Sequence, residues 1–480
     1  MTDEHRFSRR TGLKGMGALG AAALLGTGGN CADPPPAGRD VAPSDLRQQI
    51  FQKVLATPLI DTHEHLIEEK DRLAGAAHPM VACDDWALLA SHYLRSDLRT
   101  AGMPDDVDGR LFSPGVDPIA KWRLIEPYWP AVKNTGYGLA VSLAMGKLYE
   151  VDELSARTIA KVQQRYEQVR RPGFYRHVLC ELAGIESCQV NYLQRPFGES
   201  AMPELLMQDL SIVGMFAGAP SEGFREPTGI AVAELSDWHR VIDWWFERYG
   251  RYAVAVKSQN AYSRDIDYEQ VPAERAAGVL QKRVRQQPLS PDEQKTLEDH
   301  LFWYAVGKAT EHGLPVKLHT GYYAGHGSMP LSRLIHNAGS ACDLCRAAGD
   351  TPFVFMHIDY PYYEELIAVA KHYANAHVDM CWAWIINPVA AKDFLKKYLV
   401  TAPANKILTF GGDYIPVEPV LGHAILARRG IALALCELVE EGWFSLDAAL
   451  ELVDPIMHGN ARRIFRLDEK SKALRDVPWA

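Results

Sequence analysis

Residues 58–65 read Pro58-Leu59-Ile60-Asp61-Thr62-His63-Glu64-His65, a short apolar run that ends in polar side chains. Such runs are typical of buried parallel strands, because helices cover one face of the sheet and the barrel or core fills the other. His63 and His65 are two residues apart on an extended segment, so both imidazoles point the same way. Two imidazoles on one face can bind one divalent cation. The segment therefore predicts a buried strand that carries a metal-binding pair at its carboxyl end.

Seven further apolar runs follow along the chain, and these also end in polar residues. They cover residues 184–190, 210–216, 253–257, 315–319, 352–357, 377–382 and 407–413. Helix-like stretches separate most of them, and strands that alternate with helices predict a parallel sheet. Eight such units predict an α/β fold, a closed (β/α)8 TIM barrel, and the length of 480 residues leaves room for large insertions. A doubly wound open sheet is the alternative, but no Gly-rich nucleotide loop follows the first strand.

The longest interval between two runs covers residues 67–182. It contains helical stretches, such as residues 138–148 and 151–170, and we expect a large helical insertion that caps the barrel mouth. The large aromatic side chains that we single out in it are Trp86, Trp122, Tyr128 and Trp129. We interpret these aromatics as the core of the cap, and contact with a substrate is the alternative.

Ionisable side chains stand at the ends of five of the eight runs. They are His63 with His65, Lys257, His319, His357 and Asp413. Because the active site of a barrel lies at the carboxyl ends of its strands, we expect these groups to converge on one pocket. Imidazole and carboxylate ligands suit zinc, manganese or iron. The sequence thus predicts one or two divalent metal ions, with zinc as the first choice.

A family resemblance rests on these same residues. The segment Asp61-Thr62-His63-Glu64-His65-Leu66 is similar to the first-strand signature of the amidohydrolase superfamily. His319, His357 and Asp413 resemble the later signature positions in their expected order, and Asn460-Ala461 resembles the closing segment. The resemblance covers nearly the whole mature chain and implies a metal-dependent hydrolase barrel.

Two features resemble particular branches of that superfamily. Lys257-Ser258 with Ala261-Tyr262 looks like the branch of nodulin-like amidohydrolases, which are fused elsewhere to glutamine-synthetase domains. The large helical insertion is similar to that of uronate isomerase and its relatives. These resemblances identify the superfamily more firmly than the branch.

Roles for the strand-end residues follow from the chemistry of such a site and agree with the resemblance. A bound cation lowers the pKa of its water, and Asp413 is suited to move the proton to a leaving group. His63 and His65 hold the metal, with His319 as a third ligand, while His357 binds a second metal or the substrate. The resemblance implies that Lys257 is carboxylated and bridges two metals, as in family members with a lysine here, and an ammonium that binds the substrate is the alternative. Asp61 orients the histidines or caps the strand end.

Signals for the substrate are fewer. Arg264, Tyr322 and Trp382 follow strand ends, and we predict that they contact the substrate. Arg264 is able to hold a carboxylate through two hydrogen bonds, and a surface arginine is the alternative.

We therefore expect hydrolysis of an amide, ester or related bond in a small, carboxylated molecule. A decarboxylase or a uronate-isomerase-like enzyme on the same barrel is the alternative. A non-catalytic exported metal-binding protein is a third reading, which Asp413 argues against because binding alone needs no proton carrier.

The net charge of the chain indicates which classes of binding partner to expect. Lys and Arg number 51 against 60 Asp and Glu, so the net charge is −9, and no long basic run occurs. Nucleic acid is excluded as an expected partner, because phosphate binding needs clustered Lys and Arg. We expect a small-molecule substrate. We expect no stable membrane span in the protein, and whether it forms a homo-oligomer stays open.

The first 40 residues are typical of an export signal and linker. Arg9 and Arg10 precede a Gly/Ala-rich apolar stretch over residues 16–26, which resembles a twin-arginine signal. A buried helix is the alternative, but five glycines between Gly12 and Gly26 weaken a helix. Residues 33–38, with three consecutive prolines, are typical of a linker. We therefore expect export to the periplasm and a mature domain over residues 41–480.

The eight cysteines leave open whether disulfides form, as they can in an exported protein. Cys342 and Cys345 have the spacing of a redox or zinc motif. A second such pair is missing, so zinc is not expected there.

Export can be tested with a reporter fused behind residues 1–40. We expect the reporter to reach the periplasm, because paired arginines followed by an apolar stretch are the pattern of a twin-arginine export signal. Cell fractionation measures its location, and the same fusion carrying Arg9→Lys and Arg10→Lys is the control. A reporter that remains in the cytoplasm with the natural residues would show that the segment is not a signal.

Overall fold

A computed structural model describes residues 43–75, 78–212 and 222–479. The predicted signal and linker, residues 1–40, lie outside the described residues. Over these ranges the chain forms nine short strands: β1 Leu59–Glu64, β2 Ile185–Val190, β3 Leu206–Gln208, β4 Leu210–Ser211, β5 Val256–Ser258, β6 Val316–Leu318, β7 Phe353–Phe355, β8 Ala376–Asp379 and β9 Ile407–Leu408. Strands β1 to β3 pair in chain order, as do β4 to β9, and every pair is parallel.

Hydrogen bonds of the backbone join the two sheets into one closed barrel. Strands β3 and β4 are separated only by Asp209, and they share one strand position between β2 and β5. The Asp209 N–H donates to the Val190 carbonyl at 2.8 Å, and the Leu210 N–H donates to the Ala255 carbonyl at 2.8 Å. At the other side, the Thr62 N–H donates to the Phe410 carbonyl at 3.0 Å, which ties β1 to the segment after β9. The predicted eight-position barrel is therefore confirmed, and the open sheet is wrong.

The third strand begins earlier than the sequence led us to expect. The apolar run at 210–216 predicted it, whereas the strand starts at Leu206, and residues 213–221 lie outside the described ranges. The reason is the carboxylate of Asp209, which interrupts the apolar pattern although it is fully buried. Lys317 of β6 compensates its charge, with Nζ 2.8 Å from Asp209 Oδ2. The buried ion pair is thus the reason why the pattern of apolar residues did not predict the first part of this strand.

Helices surround the barrel and form the insertion. Before β1 lies α1 Pro43–Ala56, and the insertion between β1 and β2 contains α2 Glu69–Ala74, α3 Tyr93–Thr100, α4 Asp105–Leu111, α5 Trp122–Ile125, α6 Trp129–Val132, α7 Gly136–Tyr149, α8 Ile159–Val169 and α9 Phe174–Arg176. The later helices are α10 Glu222–Arg225, α11 Leu235–Tyr249, α12 Ala273–Val284, α13 Pro291–Glu311, α14 Cys342–Ala347, α15 Tyr363–His372, α16 Ala383–Ile386, α17 Pro388–Leu399, α18 Glu418–Glu440, α19 Leu446–Asp454, α20 Asn460–Ile464 and α21 Leu467–Leu474. Single turns of 3₁₀ or π helix occur at Trp86–Ala90, His177–Leu182, Glu226–Thr228, Asn260–Tyr262, Leu331–Leu334, Gly339–Ala341, His357–Asp359, Ala404–Lys406 and Pro455–Gly459.

The insertion has a core of its own, as the sequence predicted. Trp86, Trp122 and Trp129 are buried, and the rings of Trp122 and Trp129 meet edge to face at a centroid distance of 6.3 Å. Tyr128 is half-buried beside them. The insertion is therefore a packed element that can hold side chains rigidly over the barrel.

Helices α7 and α18 join the insertion to the barrel at close range. Gly422 of α18 lies so near α7 that a Cβ there would collide with the carbonyl oxygen of Ala140. Gly430, two turns later, faces the Trp384 ring in the same way. Among the described helices, α18 is also long and apolar enough to span a membrane, but 83% of its apolar window is buried inside the protein. Burial of that extent is what a core helix shows.

The cysteines of the described residues carry free thiols. These are Cys83, Cys180, Cys188, Cys342, Cys345, Cys381 and Cys436. Cys342 and Cys345 lie one helical turn apart on α14, and no disulfide joins them. Cys31 lies outside the described residues.

The contact between α7 and α18 predicts a stability difference between two glycine substitutions. Gly422→Ala should lower the free energy of unfolding by about 1–3 kcal/mol, because the added methyl group overpacks the interface. Gly278→Ala on α12 is the control, since nothing lies within 4 Å of its Cβ position. That change should leave stability unchanged or raise it by up to about 1 kcal/mol through helix propensity. Urea unfolding measures both, and equal effects would contradict the close packing.

Candidate active site

Barrel closure brings His63 and His65 against Asp413. The Asp413 N–H donates to the His63 carbonyl at 2.8 Å, and the His65 N–H donates to the Tyr414 carbonyl at 3.0 Å. The Nε2 atoms of His63 and His65 each lie 3.2 Å from Asp413 Oδ1. All three side chains are at most 8% exposed. Three metal-capable groups from the first and last strand positions thus face one another in a buried site.

Hydrogen bonds on the far side of each ring fix which nitrogen points inward. His65 Nδ1 lies 2.8 Å from the Asn191 carbonyl oxygen, so Nδ1 carries the proton and Nε2 presents its lone pair. His63 Nδ1 lies 3.8 Å from Asp209 Oδ2, the carboxylate that pairs with Lys317. The buried ion pair inside the barrel therefore also orients the first histidine of the site.

The electrostatics of the cluster match a cation site. Burial lowers the pKa of His63 to about 4, so its imidazole is neutral at pH 7. Burial alone would raise the pKa of Asp413, but His63 and His65 hold it well below its usual value. Beyond the 3.2 Å contact of Nε2 with Asp413 Oδ1, neither ring nitrogen of His63 has a hydrogen-bond partner among the described residues. A neutral imidazole beside an ionised carboxylate is the form that binds a divalent metal, so the residues fit such an ion.

Two glycines and two acids shape the strand ends around this cluster. A Cβ on Gly411 would lie 2.7 Å from the Cβ of Cys381, and one on Gly412 would collide with Glu64. Asp61 Oδ1 accepts from the N–H groups of His63 and Gly412 at 3.1 and 3.2 Å. Burial raises the pKa of Asp61 to about 6, and it raises that of Glu64 well above the usual value. Asp61 therefore holds the strand ends together, which is one of the two roles the sequence suggested.

The helical insertion supplies a residue that the sequence did not reveal. The Tyr93 hydroxyl of α3 donates to Asp413 Oδ2 at 2.6 Å. Its ring stacks on Trp382 and Tyr137 at centroid distances of 4.8 and 5.1 Å. Burial raises the pKa of Tyr93 well above its usual value, so the hydroxyl keeps its proton. The rule that strand ends carry the site could not find Tyr93, since a helix of the insertion bears it.

The other predicted strand-end residues lie beside the cluster in different ways. His357 joins Asp413 and Cys381 in a second group of metal-capable atoms. His319 packs against His357 at a centroid distance of 4.5 Å, but its Nε2 lies 3.0 Å from the Tyr322 carbonyl oxygen and it belongs to neither group. Lys257 is fully buried, with Nζ 2.8 Å from Met356 Sδ, and burial lowers its pKa to about 8. The structure therefore places His319 next to the metal-capable groups rather than within them, and it places the Lys257 ammonium against Met356.

Of the three residues predicted to contact the substrate, Trp382 and Tyr322 lie at the site, whereas Arg264 is held in ion pairs. Trp382 is fully buried, and its ring meets that of His357 edge to face at 5.3 Å, so it forms a wall of the site. Tyr322 is half-buried, with its ring 6.0 Å from that of Trp382. Arg264 instead pairs with Asp299 at 2.6 Å and with Glu298 at 3.1 Å, and its guanidinium lies over the Tyr268 ring. Its predicted role at the substrate is revised, because neighbouring carboxylates already occupy the guanidinium.

Comparison with known proteins agrees with this geometry. Residues 228–467, half of the chain, match the family model described as Amidohydrolase. The chain belongs to the amidohydrolase family. The superfamily predicted from the strand-end signature is thereby confirmed, and the protein is an enzyme of that superfamily that has residues able to hold a divalent metal.

Individual relatives extend the match across the whole chain. A uronate isomerase of Phenylobacterium zucineum is 22% identical over 471 residues, which are 90% of this chain and 96% of that one. The solved glucuronate isomerase of Caulobacter crescentus superposes with a TM-score of 0.70 at 16% identity, covering 92% and 97% of the two chains. The uronate isomerase of Thermotoga maritima gives 0.67 at 14% identity, covering 88% and 97%. These structures share the barrel fold of this protein.

The comparisons overturn the predicted reaction type. We expected a hydrolase from the strand-end residues, and this is wrong, because the three relatives described above, which match nearly the full chain, are uronate or glucuronate isomerases. The strand-end pattern could not separate the two, since both chemistries use a polarised oxygen and a carboxylate that moves a proton. The uronate-isomerase-like alternative is the better supported reading.

The metal site predicts a difference between two histidine substitutions. His65→Ala should weaken binding of Mn²⁺ to metal-free protein by more than the roughly 10–100-fold loss that removing an outer partner causes. His336→Ala is the control, because that imidazole is 82% exposed and pairs with Glu365. Titration followed by Mn²⁺ electron paramagnetic resonance measures both affinities. Undiminished binding in His65→Ala would exclude His65 as a ligand.

Proposed function

We propose that this protein is a metal-dependent isomerase that acts on a uronate or a related sugar acid. The observation that supports this most is the match to a uronate isomerase over 90% of this chain and 96% of the relative. A match of that extent includes the helical insertion, whose Tyr93 reaches Asp413, as well as the barrel. The proposal therefore concerns the whole site and not the barrel alone.

Isomerisation of a sugar between its aldose and ketose forms places specific demands on a site. A hydrogen leaves the carbon next to the carbonyl, a hydrogen is delivered to the carbonyl carbon, and a proton moves between the two oxygens. Water is neither added nor released. The reaction needs a base and an acid within reach of adjacent atoms, and a pocket that keeps water from the intermediate.

Asp413 and Tyr93 are the residues to which we assign the transfer of these protons. The Asp413 carboxylate is ionised, so it is able to accept a proton, and its two oxygens face different partners. Oδ1 faces the histidine pair, whereas Oδ2 accepts from the Tyr93 hydroxyl at 2.6 Å. Tyr137 and Trp382 stack around Tyr93 and are buried, so this side of the site is apolar and shielded from water.

The proposed cation is divalent, with zinc favoured by two imidazoles and a carboxylate. His63, His65 and Asp413 would hold it. When bound, such an ion polarises a substrate carbonyl or hydroxyl and makes the neighbouring hydrogen more acidic. Lys257 is assigned to the substrate as a buried ammonium, a charge that is lost as the pH rises through about 8.

Isomerase activity can be separated from hydrolysis by following solvent deuterium. Zinc-loaded protein should convert a hexuronate such as glucuronate or galacturonate to its ketose, observed by NMR, and leave amides and lactones intact. Asp413→Asn should lower kcat by about 10²–10⁴-fold, because an amide cannot accept the proton.

The exposed carboxylate of Asp350 provides the matched control, and Asp350→Asn should retain full activity. Exchange of substrate hydrogen for deuterium should fall together with turnover in Asp413→Asn. Hydrolysis of an amide or lactone without any ketose formation would refute the proposal.

A further inference from the structure

A second group of metal-capable side chains lies next to the His63–His65–Asp413 cluster. The ligand atoms of His357, Cys381 and Asp413 all lie within 4.8 Å of one another, and all three residues are buried. Asp413 belongs to both groups. A thiol at the end of the seventh strand position was not among the residues that the sequence singled out for the metal.

The backbone around Cys381 fixes both the thiol and the imidazole that it faces. The Cys381 N–H donates to Asp379 Oδ1 at 2.9 Å, which holds the turn after β8. The Cys381 carbonyl oxygen lies 3.1 Å from His357 Nδ1, so that nitrogen carries the proton and Nε2 presents its lone pair. The residue that offers the thiol therefore also orients the neighbouring imidazole.

Close packing keeps the thiol in place. A Cβ on Gly411 would lie only 2.9 Å from Cys381 Sγ, so the glycine leaves room for the sulfur against the segment after β9. Asp413 follows two residues later on that segment. Sulfur and carboxylate are thereby held on adjacent strand ends.

We propose that Cys381 is a thiolate ligand of a second divalent cation, which His357 and Asp413 also bind. On binding, the Cys381 thiol gives up its proton to solvent, and the sulfur lone pair forms the bond to the metal. The thiolate and the shared carboxylate together supply two negative charges, which offset the cation beside the ammonium of Lys257. The inference is independent of the proposed isomerase activity, since it concerns metal binding alone.

The proposed ligands His357, Cys381 and Asp413 differ from those of a second metal site that a carboxylated Lys257 would bridge. The Nζ atom of Lys257 faces Met356 Sδ at 2.8 Å, and its ammonium has no lone pair to offer a metal. A thiolate with an imidazole favours the softer ions Zn²⁺, Cd²⁺ and Co²⁺ over Mn²⁺ and Mg²⁺. The protein should accordingly bind Mn²⁺ only at the His63–His65–Asp413 cluster.

Cobalt provides the direct test, because a thiolate bound to Co²⁺ gives an intense charge-transfer absorption in the near ultraviolet. Metal-free protein titrated with Co²⁺ should develop this band, and the band should be lost in Cys381→Ala. The control is Cys345→Ala, which removes a buried thiol from the Cys342–Cys345 pair and should keep the band. This control also excludes α14 as the source of the signal.

Metal stoichiometry gives a second and independent measurement. The natural protein should retain two equivalents of Cd²⁺ but one of Mn²⁺ after gel filtration, and Cys381→Ala should retain one of each. The natural protein alone decides the question if the variant does not fold. A Co²⁺-loaded natural protein without the charge-transfer band, or a Cys381→Ala protein that keeps two equivalents of Cd²⁺, would overturn the proposal.

Discussion

Pairing between the first strand and the segment after the last strand is the constraint on which the site depends. The hydrogen bond from the Asp413 N–H to the His63 carbonyl, at 2.8 Å, closes the barrel and sets the carboxylate against the histidines. Asp413 adopts a left-handed backbone conformation with φ 61°, which an aspartate tolerates better than most residues. Closure of the fold and assembly of the metal-capable cluster are thus one structural event.

The insertion extends this arrangement from the barrel to the pocket above it. Its close packing of α7 against α18 fixes Tyr137, which stacks with Tyr93 over the Asp413 carboxylate. Helix α18 begins a few residues after Asp413, and its His423 Nδ1 lies 3.2 Å from the Gly412 carbonyl oxygen. The same helix therefore supports the strand end from one side and the cap from the other.

The sequence was sufficient for the barrel and for the residues on strand ends, because alternation of apolar runs with polar ends directly reflects burial. It failed where a buried charge is neutralised from a distant strand, as with Asp209 and Lys317, and where a helix supplies the side chain, as with Tyr93. It also assigned Arg264 to the substrate, since ion pairs with residues 298 and 299 are set only by the folded chain. The sequence did not predict the reaction type, because hydrolysis and isomerisation use the same metal-binding and proton-transferring groups.

Anomalous X-ray diffraction at the zinc absorption edge, from crystals of zinc-loaded protein, tests the central claim of a metal site formed by barrel closure. The account predicts a peak bonded to His63 Nε2, His65 Nε2 and an oxygen of Asp413, at about 2.0–2.2 Å from each. A zinc-loaded crystal with no anomalous peak between these three side chains would contradict it.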